Sequence, residues 1–544
     1  MHGLMMDRPL SIISLIDFAA QYHGETPIVS RTVEGAIHRY DYRRAHGRIQ
    51  QLANALVRLG VRPGDRVATI AWNGYRHFEL YYAISGMGAV CHTINPRLFD
   101  AQIKYIVNHA SDRLIFADLT FVPLLERLAA ALPRVERYVV MTDRAHMPAI
   151  ALPNALCYEE LVEGESPSFD WPELDERTAS GLCYTSGTTG NPKGTLYTHR
   201  STVLHAFSVN LSGGIGMTCH DTMLPVVPLF HVNAWGIPYS APMAGAGLVF
   251  PGAKLDGESL FSLMESEKVT ITAGVPTVWL GLVDYMRKHG TRPSSLKTLL
   301  VGGSAAPRAL IEALEQEFGV NVCHAWGMTE MSPVGTSGRL TRGMAGWPRE
   351  RIMARKITQG HAVYGVEMKI VDAEGQRLPH DGKAYGELLV RGPWVTSGYF
   401  EDAEADRGAF DAEGWFRTGD VATIDADGWM HIVDRAKDVI KSGGEWISSI
   451  AIENAAMGHP DIAEAAVIGV PHPKWQERPL LIAVPRKDAV PTRDAVLDFL
   501  RDKMSKWWLP DDVVFVSELP HTATGKLLKT KLRDQYRDHV LPKA

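Results

Sequence analysis

Tyr184-Thr185-Ser186-Gly187-Thr188-Thr189-Gly190-Asn191-Pro192-Lys193-Gly194 is the stretch from which the rest of this chain is read. It follows an apolar run and leads towards a helix-like segment. Hydroxyls, glycines and a lysine at such density suit a triphosphate. Side-chain and backbone donors ring the phosphate oxygens, and glycine lets the main chain approach closely. Glycines alone would mark only a surface turn. A Walker loop requires Gly, four residues, then Gly-Lys-Ser/Thr. Here Pro192 occupies the place of the second glycine, which excludes that alternative.

Outward from this loop, the flanking chain alternates helix-like and β-branched segments. Leu52, Ala53, Leu56 and Leu59 stand at helical spacing, a Pro63-Gly64 turn follows, and Val67 to Ile70 read as a strand. The cycle repeats from Leu80–Ile84 to Val90 and from Ile103–Val107 to Phe116, the rhythm of α/β layers. Leu299-Leu300-Val301 before Gly302-Gly303-Ser304 reads as a strand that delivers a loop to the carboxyl edge of a parallel sheet, where open α/β folds bind ligands. A charged stretch, Asp434-Arg435-Ala436-Lys437-Asp438, then marks a change of composition. Beyond it, Ile450–Met457, Ala465–Val470, Leu480–Val484, Ala495–Met504 and Val513–Val516 alternate helix and strand in a unit of their own. The expected fold is α/β: a large multi-layer N-terminal domain (1–434) with parallel-sheet subdomains, and a small mobile α+β C-terminal domain (435–544).

Composition narrows the function. At 544 residues the chain exceeds one ordinary core. A net charge of -6 provides no broad basic surface, so no nucleic-acid partner is expected. No stretch approaches the roughly 20 apolar residues that span a bilayer, so no integral membrane association is expected. The apolar patch Leu10–Ile16 is interrupted by Asp7, Arg8, Pro9 and Asp17, and reads as folded sequence rather than a leader. The five cysteines, Cys91, Cys157, Cys183, Cys219 and Cys323, are widely spaced and form no C-x-x-C pair. Reduced thiols in a cytoplasmic protein, without a zinc site, are expected.

The loop resembles the signature of the adenylate-forming superfamily of acyl-CoA synthetases, luciferases and peptide-synthetase adenylation domains. Further motifs of that superfamily follow in order: Pro228-Leu229-Phe230-His231, Trp326-Gly327-Met328-Thr329-Glu330, Gly414-Trp415-Phe416-Arg417-Thr418-Gly419-Asp420, Asp434-Arg435-Ala436-Lys437-Asp438 and Thr524-Gly525-Lys526. Segments around His231–Trp235, Lys441–Ser449 and His472–Pro479 resemble the medium- and long-chain fatty-acid branch, which includes 3-methylmercaptopropionyl-CoA ligases.

That resemblance implies an ATP-dependent acid-thiol ligase that uses Mg2+ and coenzyme A. A carboxylate resists thiols because its charge repels nucleophiles and oxide is a poor leaving group; adenylation removes both obstacles, provided positive charge meets the α-phosphate. By the same resemblance, Lys526 bridges carboxylate and α-phosphate. Thr185, Ser186, Gly187, Thr188, Thr189, Gly190 and Lys193 cradle the phosphates, and Thr185 with Glu330 holds the metal. Gly302, Gly303, Ser304, Ala305, Trp326, Gly327, Met328 and Thr329 surround the adenine. Asp420 and Arg435 read the ribose, and Lys437 is the hinge. His231, Trp235, Pro333, Val334 and Gly335 line the acyl pocket. Lys441, Gly443, Gly444, Glu445 and Trp446 face the pantetheine, with Lys474 and Arg478 as weaker candidates for the CoA nucleotide. A homodimer is implied by analogy. Two departures stand out: Gly360-His361-Ala362-Val363-Tyr364-Gly365 replaces a proline-rich turn, which puts the loop over the nucleotide in question, and Lys529 stands where arginine is common. Other readings are an adenylation enzyme loading a carrier protein and a non-catalytic nucleotide sensor. Consumption of the adenylate by free CoA separates the first, and pyrophosphate release the second.

Overall fold

The computed structural model describes residues 1, 3–185, 191–443, 445–521 and 527–542, with the backbone alone for Glu445. The chain forms two compact units, one of Met1–Glu367 with Arg391–Ala409, the other of Met368–Val390 with Phe410–Ala544.

In the first unit, one sheet runs in the order Ala155–Cys157, Arg137–Val140, Leu114–Ala117, Arg66–Ile70, Val90–Thr93, Ala179–Tyr184, Gly194–Thr198. Its strands are parallel until the last, which turns back antiparallel on Ala179–Tyr184. Leu114–Ala117 and Val90–Thr93 are buried along their whole length, as strands covered on both faces must be. A second sheet runs through Asn321–Gly327, Thr298–Val301, Ile271–Gly274, Thr222–Pro225, Gly247–Phe250 and Pro27–Arg31 in parallel. Ile37–Asp41 closes one edge antiparallel, and Val334–Ser337 with Gly360–Ala362 extend the other.

Helix Tyr42–Arg58 shows why the sequence rhythm worked. Asp41 caps it by accepting from the Arg44 N–H at 2.8 Å, a contact worth about 1 kcal/mol. Ala45, Ile49, Leu52, Ala53 and Leu56 bury one stripe, while Leu59 serves as the C-cap. Helix Tyr75–Gly86 differs, because every residue of it is buried. It lies between the layers: Ser85 donates to the Ser180 carbonyl at 2.8 Å, and Tyr82 donates to the Pro238 carbonyl at 2.7 Å.

In the second unit, Tyr385–Arg391, Phe416–Ile424 and Trp429–Arg435 pair antiparallel. A further sheet runs Glu445–Ile447, Ile440–Ser442, Gln476–Pro485, Ile462–His472, with Asp512–Phe515 parallel to Gln476–Pro485. Side chains alternate across it with period two. Val467, Leu481 and Ala483 pack with Ile452, Val496 and Leu500 on one face; Ile468, Leu480 and Ile482 pack with Leu519 and Leu532 on the other. Helices Ser449–Ala456 and Arg493–Arg501 stand where the sequence placed them. The architecture is the mixed α/β one expected: a large parallel-sheet unit and a smaller C-terminal one.

Candidate functional site

Strands Ala179–Tyr184 and Gly194–Thr198 present the hydroxyl-rich loop as the tip of a hairpin. Thr185 N–H donates to the Lys193 carbonyl at 2.9 Å, and Lys193 N–H donates to Thr185 Oγ1 at 3.2 Å, which closes the mouth of the loop. Ser186, Gly187, Thr188, Thr189 and Gly190 lie outside the described residues. At the base, a Cβ on Gly194 would come within 3.2 Å of Leu182, Phe400 and Tyr184, so only glycine lets these three side chains close around the strand. Phe400 N–H donates to the Gly194 carbonyl at 2.8 Å.

Beside this mouth, Glu330 sits in the short turn Thr329–Met331 and is only 6% exposed. Its Oε1 accepts from the Tyr399 hydroxyl at 2.8 Å, and its carbonyl accepts from Thr396 N–H at 2.7 Å. Tyr197 donates to the neighbouring Thr329 carbonyl at 2.7 Å. The Lys193 ammonium stands 5.0 Å from the Tyr399 ring centroid, within cation–π range. Burial, and then the Glu330 carboxylate, push the Tyr399 phenol well above its ordinary pKa, so it stays a donor at any working pH. Thr185, Lys193, Tyr399 and Glu330 therefore form one continuous polar group. One carboxylate and one hydroxyl fit the partial protein ligand set of a hard divalent cation that also binds phosphates and water.

The expected adenine and acyl residues share one tight hairpin, 325–337. Met328 N–H donates to the Pro333 carbonyl at 3.1 Å, and a Cβ on Gly327 would stand 2.1 Å from that same oxygen. A Cβ on Gly335 would stand 2.6 Å from the Trp326 ring, so the indole lies flat on bare backbone. Gly302, Gly303, Ser304 and Ala305 leave the carboxyl end of strand Thr298–Val301 as read, and Gly303 takes a left-handed φ of 80°. A Cβ on Gly302 would meet the Trp235 ring at 2.9 Å. Trp235 therefore roofs the glycine that begins the adenine-side loop.

Trp235 reaches that position through an unusual turn. Val232, Asn233, Ala234 and Trp235 all carry left-handed φ values of 47°, 52°, 45° and 58°, and Gly236 follows at 76°. Each non-glycine residue costs about 1–2 kcal/mol in this conformation, and such strain persists where surroundings over-determine it. Here Asn233 Oδ1 accepts from the Tyr81 hydroxyl at 3.2 Å and from the Cys183 thiol at 3.5 Å, while Ala234 N–H donates to the Pro228 carbonyl at 3.2 Å. His231 precedes the turn and donates its N–H to the Pro228 carbonyl at 3.1 Å.

Behind the acyl-side residues lie two side chains that no motif announced. His205 Nε2 accepts from Val334 N–H at 3.1 Å, and burial pushes its pKa down to about 3, so the ring is a neutral acceptor. Trp394 Nε1 donates to the Val334 carbonyl at 3.2 Å and packs edge-on against His205 at 6.0 Å. Signals for both, and for Tyr399, were weak, because an isolated His, Trp or Tyr is ordinary core material. The departing segment has a defined place too. Gly360–Ala362 pairs with Val334–Ser337, and a Cβ on Gly360 would stand 2.1 Å from the Ser337 carbonyl. In the charged stretch before it, helix Arg349–Lys356 buries Lys356, whose ammonium donates to Asn321 Oδ1 at 3.0 Å and to the Val322 carbonyl at 3.1 Å.

The C-terminal unit carries the remaining candidates. Asp420, 2% exposed, pairs with Arg435 across adjacent strands at 2.9 Å. Lys437 lies exposed in the turn after them. Lys441 points outward from strand Ile440–Ser442, its N–H donating to Glu477 Oε2 at 2.9 Å. Gly443, at φ 59°, donates to the Trp475 carbonyl at 2.9 Å beneath Trp475 and Trp507, whose rings meet edge-on at 4.9 Å. Trp446 packs on Tyr385 at 5.6 Å. Gly444, the Glu445 side chain and Lys526 lie outside the described residues. Arg478 is corrected here: it is neither a free CoA contact nor solvated, because it is buried and donates to Asp511, Ser442, Trp507 and Leu509. Lys474 instead lies over Trp475 at 4.4 Å.

Comparisons with known proteins agree with this geometry. Residues 16–400 match the family described as AMP-binding enzyme, and residues 451–526 match the AMP-binding enzyme C-terminal domain. The chain is 50% identical over 538 residues to a 3-methylmercaptopropionyl-CoA ligase of Ruegeria lacuscaerulensis, covering 99% of both chains. It is 49% identical over 542 residues to a medium-chain-fatty-acid–CoA ligase of Ectopseudomonas oleovorans, covering 99% of this chain and 98% of that one. Among solved structures, an anthranilate CoA ligase in complex with anthranoyl-AMP superposes with a TM-score of 0.86 at 27% identity, covering 97% of this chain and 98% of that chain.

Proposed function

We propose, from the premise that this chain belongs to the AMP-binding enzyme family and is an AMP-forming acyl-CoA ligase, a division of its two half-reactions among named residues. The enzyme joins a carboxylic acid to coenzyme A at the expense of ATP, through an acyl-adenylate. In the first step a carboxylate oxygen attacks the α-phosphorus and pyrophosphate leaves with the electron pair. In the second the CoA sulfur attacks the acyl carbon, AMP leaves, and the thiol proton passes to solvent. A thiol near pKa 8.5 is already a few per cent thiolate at neutral pH, so no dedicated base is required.

For the first step, the loop closed by Thr185 and Lys193 holds the triphosphate, and Lys526 brings positive charge to the α-phosphate. Glu330 and Thr185 would hold Mg2+, which when bound neutralises phosphate charge. Tyr399 fixes the Glu330 carboxylate by its hydrogen bond, and its ring steadies the Lys193 ammonium. Gly302–Ala305 and Trp326–Thr329 form the adenine side, with Asp420 and Arg435 on the ribose. For the second step the part of the chain beyond Lys437 turns, so that Lys441, Gly443, Gly444, Glu445 and Trp446 meet the pantetheine. The domain limits 1–434 and 435–544 belong to this reading.

The observation that carries the assignment is the single polar group Thr185–Lys193–Tyr399–Glu330 at the mouth of the hydroxyl-rich loop. For the acid we propose a medium-chain or methylthio-alkanoic substrate. The names of the relatives support this class, and so does the apolar wall of Trp235 and Val334. A panel of straight, branched, aromatic and methylthio acids assayed for CoA thioester tests it. A sharp optimum at short methylthio acids selects that class, and an optimum at aromatic acids rejects both. We place the enzyme in the cytoplasm on the strength of Cys91, Cys157, Cys183 and Cys323, which are buried free thiols. Among the described residues, no helix is long and apolar enough to cross a membrane.

A further inference from the structure

The C-terminal unit buries a polar chain that the assignments above leave unused. Asp434, fully buried, accepts at Oδ2 from both the N–H and the hydroxyl of Ser449 at 2.6 Å each, and at Oδ1 from Arg435 N–H at 2.8 Å. Ser449 opens helix Ser449–Ala456, and Glu453 lies one turn further along the same helix. The Lys529 ammonium stands 2.7 Å from Glu453 Oε1 and donates to Ser449 Oγ; the two charged side chains are 8% and 9% exposed. Val467 N–H also donates to Glu453 Oε1, at 2.7 Å. Burying such a pair costs several kcal/mol unless its geometry and further hydrogen bonds are good, so a cluster this complete is a specific arrangement.

Its two ends matter more than its middle. At one end Arg435 reaches from Asp434 to Asp420 at 2.9 Å, the pair assigned above to the ribose. At the other end Lys529 begins helix Lys529–Gln535, three residues beyond Lys526. A continuous chain of contacts, Asp420–Arg435–Asp434–Ser449–Lys529, therefore links the ribose-reading pair to the segment that carries the adenylating lysine. Both ends serve the first half-reaction. Asp434 precedes Lys437 in sequence, whereas Ser449, Glu453 and Lys529 follow it. A turn about Lys437 keeps the last three together, because one helix and one buried ion pair join them, but it separates Asp434 from Ser449.

We propose that Asp434 and Lys529 are positioning residues for adenylation: through Ser449 they register the Lys526 segment against the ribose pair, and the Asp434–Ser449 link is the part released for thioester formation. This rests on the reading of Lys526 and Lys437 given above. The lysine in place of the commoner arginine at position 529 is then a fitted part, since a single ammonium serves both Ser449 and Glu453.

The test compares the native full-length chain with Asp434→Asn, Lys529→Arg and Lys526→Ala, using the acid that performs best in the panel. Acid-dependent exchange of pyrophosphate into ATP reports adenylation. Single-turnover transfer from the purified acyl-adenylate to CoA reports the second step. Asp434→Asn is expected to lose tenfold or more in the exchange rate with KM for ATP within twofold, while transfer to CoA stays within twofold of native. Lys529→Arg, which keeps the charge, is expected to lose less than Asp434→Asn in exchange, with transfer again unchanged. The proposal is overturned if exchange by Asp434→Asn is within twofold of native, or if both half-reactions fall by one factor together with a lower melting temperature. Lys526→Ala separates the two levels: native exchange in that variant removes the lysine assignment and this inference with it, whereas lost exchange there beside native exchange in Asp434→Asn removes this inference alone.

Discussion

Charge is buried in two regions of this molecule, and each holds it differently. At the mouth of the hydroxyl-rich loop, the Glu330 carboxylate takes a phenol and the Lys193 ammonium lies over an aromatic ring. In the C-terminal unit, the Lys529 ammonium meets the Glu453 carboxylate directly, and Asp434 is saturated by Ser449 and Arg435. Phenols and rings orient a charge without cancelling it, so the first region remains able to act on a phosphate or a cation. Opposite charges and backbone donors cancel it, so the second region holds geometry. The difference separates groups that do chemistry from groups that aim them.

The largest effect that sharpens this contrast belongs to Lys526→Ala. Loss of a transition-state cation should cut adenylation by about 10³-fold while circular dichroism and thermal melting stay native. Native adenylation in that variant would break the contrast by removing the acting charge. Glu330→Gln comes next, with a fall of about 10²-fold in adenylation and a raised requirement for Mg2+. The isosteric amide can still accept from Tyr399, so stability should barely move. A Mg2+ titration superimposable on that of the native enzyme would mean that Glu330 only holds Tyr399.

Trp235→Ala tests the acyl wall, where no charge is involved. Removing the indole from Gly302 should shift preference towards longer acids by about tenfold, measured as the ratio of kcat/KM values across a chain-length series. An unchanged ratio would make the indole a packing element only. The smallest effect concerns His205, a polar group buried with neither an opposite charge nor a ligand-facing role. Its ordinary pKa near 6.5 applies to the unfolded chain, whereas burial holds the folded value at about 3. Below pH 6.5 the unfolded state therefore takes up a proton that the folded state refuses, and stability falls with falling pH by up to about 1.4 kcal/mol per unit across that window. His205→Asn, which can still accept from Val334 N–H, should flatten the slope between pH 6.5 and 4 in urea melts. An identical slope would show that other groups set it.

Local patterns carried much of this into view before any coordinates. The hydroxyl-rich hairpin tip, the glycine loop after Thr298–Val301 and the alternating C-terminal unit are each short segments whose residue types answer a local demand. Tyr399, Trp394 and His205 escaped because their partners are remote in sequence: Tyr399 meets Glu330, Trp394 meets Val334, and His205 meets the same residue from the opposite direction. The turn at 232–235 escaped for another reason. Left-handed backbone is read from glycine or asparagine, and here three of its four residues are Val, Ala and Trp. Arg478 misled because a basic residue beside a tryptophan looks like a ligand contact until its acceptors are counted.

By itself the sequence determined the chemistry on offer: donors for phosphates, a cation late in the chain, a carboxylate for a metal, and a layered α/β scaffold to carry them. These depend on residue type and short-range spacing, which a linear string preserves. Tertiary structure alone decided which charges are spent on geometry, because a charge's role depends on what lies within a few ångströms of it. Lys193 and Lys529 are the same residue in one dimension. In three, one faces a ring at the mouth of a loop and the other is locked between a serine and a glutamate.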